Sequence, residues 1–126
     1  MGKIERFEDL KCWQESRSLV KRIFTICEKS RLSKDYDLKS QFRRAALSSM
    51  NNIAEGFARY HQKEFVRFLD YSQSSLSEVK SIVYVLEDMK YIEDEDIKDL
   101  HASVDKTRNL TLGLIKYINR TTNAIS

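Results

Sequence analysis

The sequence contains no proline and only three glycines and two cysteines among its 126 residues. Because proline and glycine build tight turns and bulges, their scarcity disfavours hairpins and long irregular loops and favours helices. Cys12 and Cys27 are separated on one predicted helix by about 22 Å, which exceeds disulfide reach. No apolar run is long enough to span a membrane and no signal peptide is evident. A cytoplasmic protein with free thiols is therefore expected.

The length predicts a single domain over residues 1–126 with one hydrophobic core. Charged residues make up 33% of the chain, and the net charge is +3. That charge is uneven, because residues 1–61 carry 13 Lys and Arg against 8 Asp and Glu, whereas residues 62–126 carry 9 against 11. The first half is therefore the basic half, as a contact with phosphates would require.

Apolar residues recur at steps of three and four in four segments, which predicts helices at about 7–31, 37–58, 62–90 and 94–120. Asp35 or Asp37 is expected to cap the second helix. Carboxylates at 93–96 are expected to begin the fourth helix, and the last six residues are expected to fray. Since the connections are short, the fold class is predicted to be all-α, an antiparallel up-down-up-down four-helix bundle.

Polar residues interrupt the apolar pattern in the middle of the second helix and face a similar set on the third. They are Gln41, Ser48, Asn52 and Glu55 on helix two, and Ser75 and Glu78 on helix three. Gly56 costs a helix interior about 1 kcal/mol relative to alanine, so we expect another backbone to approach it closely. The polar residues form either a structural network or a carboxylate site at Glu55 and Glu78. Neither glutamate has a histidine at Glu-x-x-His spacing, so no metal or cofactor is expected.

Short motifs occur in a fixed order along residues 7 to about 92. They are Phe7-Glu8-Asp9-Leu10, Trp13-Gln14, Leu38 with Gln41, Arg43-Arg44-Ala45-Ala46, Asn52-Ile53-Ala54-Glu55-Gly56, Lys63-Glu64-Phe65, Phe68-Leu69, and Ser75 with Glu78. This series resembles the four-helix bundle proteins encoded in intervening sequences of bacterial 23S rRNA genes. The chain departs from that family at Ser49-Met50-Asn51, and at His61, where a serine would complete a capping box with Glu64.

The resemblance implies a ring-like homopentamer with no established enzymatic activity. A related group, the accessory variability determinants of diversity-generating retroelements, forms basic pentamers that bind a reverse transcriptase and nucleic acid. Five copies of this chain would together carry a charge of +15, enough to attract phosphates. By this analogy the basic first half is the working surface.

The candidate nucleic-acid-binding residues are basic side chains with two neighbouring aromatics. They are Lys11, Arg17, Lys21, Arg22, Lys39, Arg43, Arg44, Arg59, Tyr60, His61 and Lys63. Tyr60 and His61 are the only aromatics that we identify among basic residues, as a stacking platform for a base. The alternative is that these cations belong to ordinary solvated helix faces, with local partners such as Glu15 and Glu28.

An enzyme is not expected. Helical ribonucleases of one type carry an arginine four to six residues before a histidine, and neither His61 nor His101 meets that spacing. No glycine-rich phosphate loop or activated nucleophile is found. We therefore predict a non-enzymatic oligomer that contacts RNA, DNA or an RNA-bearing partner such as a reverse transcriptase, with no membrane or small-molecule substrate. The alternative is a self-assembling scaffold with no nucleic-acid role.

Overall fold

The structure, a computed structural model, describes residues 4–59 and 61–125, of which residues 122–125 are described by their backbone alone. This part of the chain forms four α-helices and two short 3-10 helices and contains no strand, which confirms the all-helical prediction. The α-helices are α1 (Lys11–Lys29), α2 (Tyr36–Phe57), α3 (Gln62–Asp88) and α4 (Asp94–Ile125). The 3-10 helices are Phe7–Asp9 and Arg31–Lys34.

The ends of α1 and α4 differ from the prediction. A continuous first helix over 7–31 is wrong, because Leu10 is extended and separates a 3-10 turn from α1. At its other end, the Ser30 hydroxyl accepts from the Leu32 amide and donates to the Ile26 carbonyl, which replaces the next helical turn. An end of the fourth helix near 120 is also wrong, since α4 remains helical to Ile125.

The predicted cap of α2 is confirmed at Asp35, whose carboxylate accepts from the Leu38 amide at 3.2 Å. The first residue before α3 is His61, and its side chain makes no capping hydrogen bond, as expected from the missing serine. At the end of α3, Lys90 takes a positive φ of 55°. The Tyr91 amide then donates to the Leu86 carbonyl and the Lys90 amide to the Glu87 carbonyl, the two bonds of a Schellman motif.

The helices form an antiparallel bundle in which each packs against the next and α4 closes against α1. The pairs across each seam run in opposite directions along the two helices. They are Phe24–Arg43 and Glu28–Lys39, Ser49–Ser72 and Ser48–Ser75, Gln73–Arg108 and Lys80–Asp105, and Glu15–Lys106 and Arg22–Asp99. The up-down-up-down order follows from these pairs.

The core consists of two apolar clusters, one towards each end of the bundle. One is centred on Leu19, Phe42 and Val83, and the other on Trp13 and Ile53. Between them every helix contributes buried hydroxyl side chains, which we call the hydroxyl layer: Ser16, Ser49, Ser72, Thr107 and Thr111.

Candidate nucleic-acid interface

The outward surface of α1 carries all five cations of that helix. We call this surface the α1 face: Lys11, Arg17, Lys21, Arg22 and Lys29, all exposed. It forms opposite the side of α1 that buries Leu19 and Ile23 in the core. The first and last of its cations are separated by about 27 Å along the helix axis.

The two carboxylates of α1 lie at the edges of this face and are engaged by neighbouring helices. Glu15 pairs with Lys106 of α4 at 3.0 Å. Glu28 lies on the α2 side, 3.6 Å from the Arg43 guanidinium and 4.0 Å from the Lys39 ammonium. Both acids therefore pair with cations outside α1, and the cations of the α1 face keep no carboxylate partner from their own helix.

Lys39 and Arg43 lie in the seam between α1 and α2 rather than on an open surface. Lys39 is buried, with 9% of the residue exposed, and its ammonium donates to the Ser33 carbonyl at 3.2 Å. Arg43 is half-buried over the Phe24 ring. The structure thus separates these two candidate residues from the exposed set, because Glu28 draws them into the seam. Arg44 is exposed on α2, and its guanidinium donates to the Ser40 hydroxyl at 3.4 Å.

The remaining candidates lie near the connection between α2 and α3. The Arg59 guanidinium is 3.4 Å from Glu55 and lies 5.0 Å from the centre of the Phe68 ring, so it faces α3 and not α1. His61 and Lys63 are exposed. Tyr60 lies outside the described residues. The predicted basic residues therefore do not form one continuous surface.

Three of the six predicted network residues meet between α2 and α3. The Ser48 and Ser75 hydroxyls are 2.7 Å apart, and the Asn52 amide donates to the Ser48 carbonyl at 2.8 Å and to its hydroxyl at 3.0 Å. Gln41, Glu55 and Glu78 are exposed and lie outside this group. Glu55 pairs with Arg59 and makes no contact with Glu78, so the two carboxylates form no acid pair.

An open basin of about 910 Å³ lies where α1 leads into α2, and the sequence analysis did not identify it. Its lining includes Lys29, Arg31 and Lys34, which form no ion pair within the described chain, and the ring of Tyr36. Tyr36 is 75% exposed. Tyr60 and His61 are therefore not the only aromatics among cations, and the close spacing of Lys29, Arg31, Lys34 and Tyr36 in the sequence was the available signal.

Three groups of the kinds often used in catalysis have shifted pKa values. Burial raises the pKa of Cys12 and of Cys27 to about 11, so both are thiols at neutral pH. Burial, reinforced by the Lys80 charge, lowers the pKa of His101. Within the described ranges no three His, Cys, Asp or Glu side chains are grouped to hold a metal ion.

No helix in the part of the chain that the structure describes has the length and hydropathy needed to cross a membrane.

Comparison with known proteins identifies both a fold relative and a family. A crystal structure at 1.70 Å resolution of a protein of unknown function, from the S23 ribosomal protein family of Bacteroides thetaiotaomicron, has a TM-score of 0.76 and 18% sequence identity to this chain. The match covers 83% of this chain and 98% of that chain, and at this identity it shows the fold alone. No curated protein matches. The model of the 23S rRNA-intervening sequence proteins matches residues 8–113, so this chain belongs to the 23S rRNA-intervening sequence protein family.

Proposed function

We propose that this protein is a non-enzymatic, RNA-associated scaffold that self-assembles and binds RNA phosphates on the α1 face. The observation that carries the proposal is the separation of charge on α1. Its five cations point outward, while Glu15 and Glu28 pair with residues of α4 and α2. A helix surface with cations and no carboxylate of its own attracts a polyanion without neutralising itself.

The spacing of these cations favours phosphate contact over the reading of bases. The α1 face is about 27 Å long, which allows several phosphates of one strand to be contacted together. The Arg17 guanidinium lies over the Trp13 ring, 5.7 Å from the ring centre, and the Arg22 guanidinium donates to the Asp99 carbonyl at 3.4 Å. These contacts hold both guanidinium groups near the surface. Sequence preference would then come from elsewhere, because phosphate contacts carry no base information.

Self-association is the second part of the proposal. Along α3 the residues Tyr71, Glu78, Val85 and Met89 follow each other at steps of seven, seven and four and so share one stripe of the helix, beside Ser75 and Ile82, which pack within the bundle. Tyr71, Val85 and Met89 are 43%, 42% and 53% exposed. Exposed apolar side chains in such a row support a contact between copies of the chain. A ring-like homopentamer, as the family resemblance implies, would repeat the α1 face five times.

Charge reversal on the α1 face tests the RNA contact. The variant is Arg17→Glu/Lys21→Glu/Arg22→Glu, and the matched control is Lys98→Glu/Lys116→Glu/Arg120→Glu, which makes the same charge change at exposed positions of α4. Anisotropy of a labelled single-stranded RNA of about 12 nucleotides measures binding. We expect the α1 variant to lose binding and the control to retain most of it. Equal losses would contradict the assignment, because they would show only a response to net charge.

Salt dependence and mass separate RNA binding from a purely structural role. A site that contacts four phosphates of a single strand should show a slope of about −3 in a plot of log affinity against log salt concentration. Light scattering on the same samples gives the mass of the assembly. A pentamer that binds no RNA at low salt would favour the alternative, a self-assembling scaffold without a nucleic-acid role.

An RNA-bearing protein such as a reverse transcriptase is the more specific form of this proposal, suggested by the related accessory variability determinants. The α1 face would then meet RNA already held by that enzyme. Association that disappears after ribonuclease treatment would support contact through RNA. Association that survives ribonuclease and the α1 charge reversal would require a different surface.

A further inference from the structure

Tyr36 presents one ring face to solvent and is held on the other. It is the first residue of α2, and the Lys39 ammonium lies over its ring at 5.1 Å from the ring centre. Lys39 is itself fixed, because it donates to the Ser33 carbonyl and lies 4.0 Å from Glu28. A base can stack on the remaining face, which the 75% exposure of Tyr36 leaves open.

The cations around this ring are available to a phosphate. Lys29, Arg31 and Lys34 line the basin and form no ion pair within the described chain. One of the two acids in the lining, Asp35, has both carboxylate oxygens engaged, by the Leu38 amide at 3.2 Å and the Tyr91 hydroxyl at 3.0 Å. Asp37 is the other acid, so the lining has three cations and two carboxylates.

Size and position link the basin to the α1 face. Its open volume of about 910 Å³ leaves room for a nucleotide beside Tyr36. Lys29 belongs to both features, since it is the last residue of α1 and lines the basin. A strand that follows the α1 face towards the C-terminal end of α1 therefore reaches Tyr36.

We propose that the basin binds an unpaired nucleotide of single-stranded RNA, with its base stacked on Tyr36 and the adjoining phosphates held by Lys29, Arg31 and Lys34. This inference rests on the proposed function and names the form of RNA that the protein selects. A paired base is stacked within its own helix and cannot lie flat on Tyr36. The basin therefore favours single strands over duplexes of the same length.

The test compares Tyr36→Ala, Tyr36→Phe and the control Tyr84→Ala, which removes another exposed tyrosine, at the α3–α4 seam. Anisotropy is measured with single-stranded and duplex RNA of about 12 nucleotides. We expect Tyr36→Ala to weaken single-strand binding about tenfold and duplex binding little, because one base stack is lost. Tyr36→Phe, which keeps the ring, and Tyr84→Ala should bind as the unchanged protein does.

Photo-crosslinking with 4-thiouridine-substituted RNA locates the base directly, and we expect the adduct at Tyr36. Normal binding by Tyr36→Ala, with binding lost on α1 charge reversal, would overturn this inference and leave the proposed function intact. Equal weakening of single-strand and duplex binding would overturn the stacking. If the unchanged protein binds neither RNA, the proposed function and this inference both fail. Circular dichroism confirms folding of each variant, and Tyr36→Phe tests the ring without truncating the side chain.

Discussion

Replacing Gly56 by alanine tests how closely α2 and α3 approach each other. A Cβ atom added at Gly56 would lie 2.6 Å from the Phe68 Cβ, 3.1 Å from the Phe65 Cδ1 and 3.3 Å from the Phe65 carbonyl oxygen. The first distance is too short for two carbon atoms that are not bonded to each other, and the Phe68 Cβ cannot move without its backbone. Alanine at Gly56 therefore forces the two helices apart locally.

Gly113 provides the matched control, because an added Cβ there meets nothing within 4 Å. Both glycines take helical positions, Gly113 within α4 and Gly56 one residue before the end of α2, so alanine gains up to about 1 kcal/mol of helix propensity at either. Gly113→Ala should keep that gain. Gly56→Ala should lose about 2 kcal/mol more through overpacking, which leaves it about 1 kcal/mol less stable than the unchanged protein. The difference between the two variants isolates the steric cost.

Urea denaturation followed by circular dichroism measures both free energies of unfolding. For a chain of this length the two melting temperatures should differ by about 8 °C. Equal stabilisation by both alanines would refute the close approach of α2 and α3 at Gly56. A change in the denaturant slope of only one variant would instead indicate an altered unfolded state.

Four further substitutions test other features of the bundle. Ser48→Ala and Ser75→Ala should each lower the free energy of unfolding by about 1 kcal/mol, because each removes the 2.7 Å hydrogen bond between the two hydroxyls. The double variant should lose less than the sum of the two effects, since both substitutions remove the same bond. Strictly additive losses in urea denaturation would contradict that bond. Lys90→Gly should raise the free energy of unfolding by about 0.5–1 kcal/mol, because glycine adopts a φ of 55° without steric cost, and a lower urea midpoint would refute this. Since burial and Lys80 lower the pKa of His101 below 6.5, the unfolded chain binds that proton more readily and stability should fall as the pH drops below this value. His101→Gln should flatten this pH dependence, and an unchanged slope would show that other groups cause it.

The sequence carried clear signals for some helix ends and none for others. The start of α2 was predictable, because Asp35 is a local cap. The end of α1 was not predictable, because it depends on the Ser30 hydroxyl, which bonds to the Ile26 carbonyl and the Leu32 amide. Apolar spacing does not reveal these hydrogen bonds. The apolar spacing of α4 stops at Ile118, and the helix continues past it because no glycine or proline follows.

The candidate surface was less predictable than the fold, because it depends on pairing between helices. Periodicity places Lys39 on α2 but does not reveal that Glu28 of α1 lies 4.0 Å from its ammonium. Similarly, the spacing within α1 cannot show that Lys106 of α4 engages Glu15. The basin depends on the path of the chain between α1 and α2, which brings Tyr36 beside Lys34 and Tyr91.

The hydroxyl layer has a consequence for how the bundle opens. The hydroxyls of Ser49, Thr107 and Thr111 donate to carbonyls of their own helix, while Ser72 joins two helices by donating to the Ser49 carbonyl at 2.7 Å. The apolar clusters on either side are therefore separated by a polar level, at which most of these hydroxyl bonds stay within one helix. Amide hydrogen exchange should accordingly divide into two cooperative units, so that the end with Tyr36 can open while the end with Gly56 stays folded.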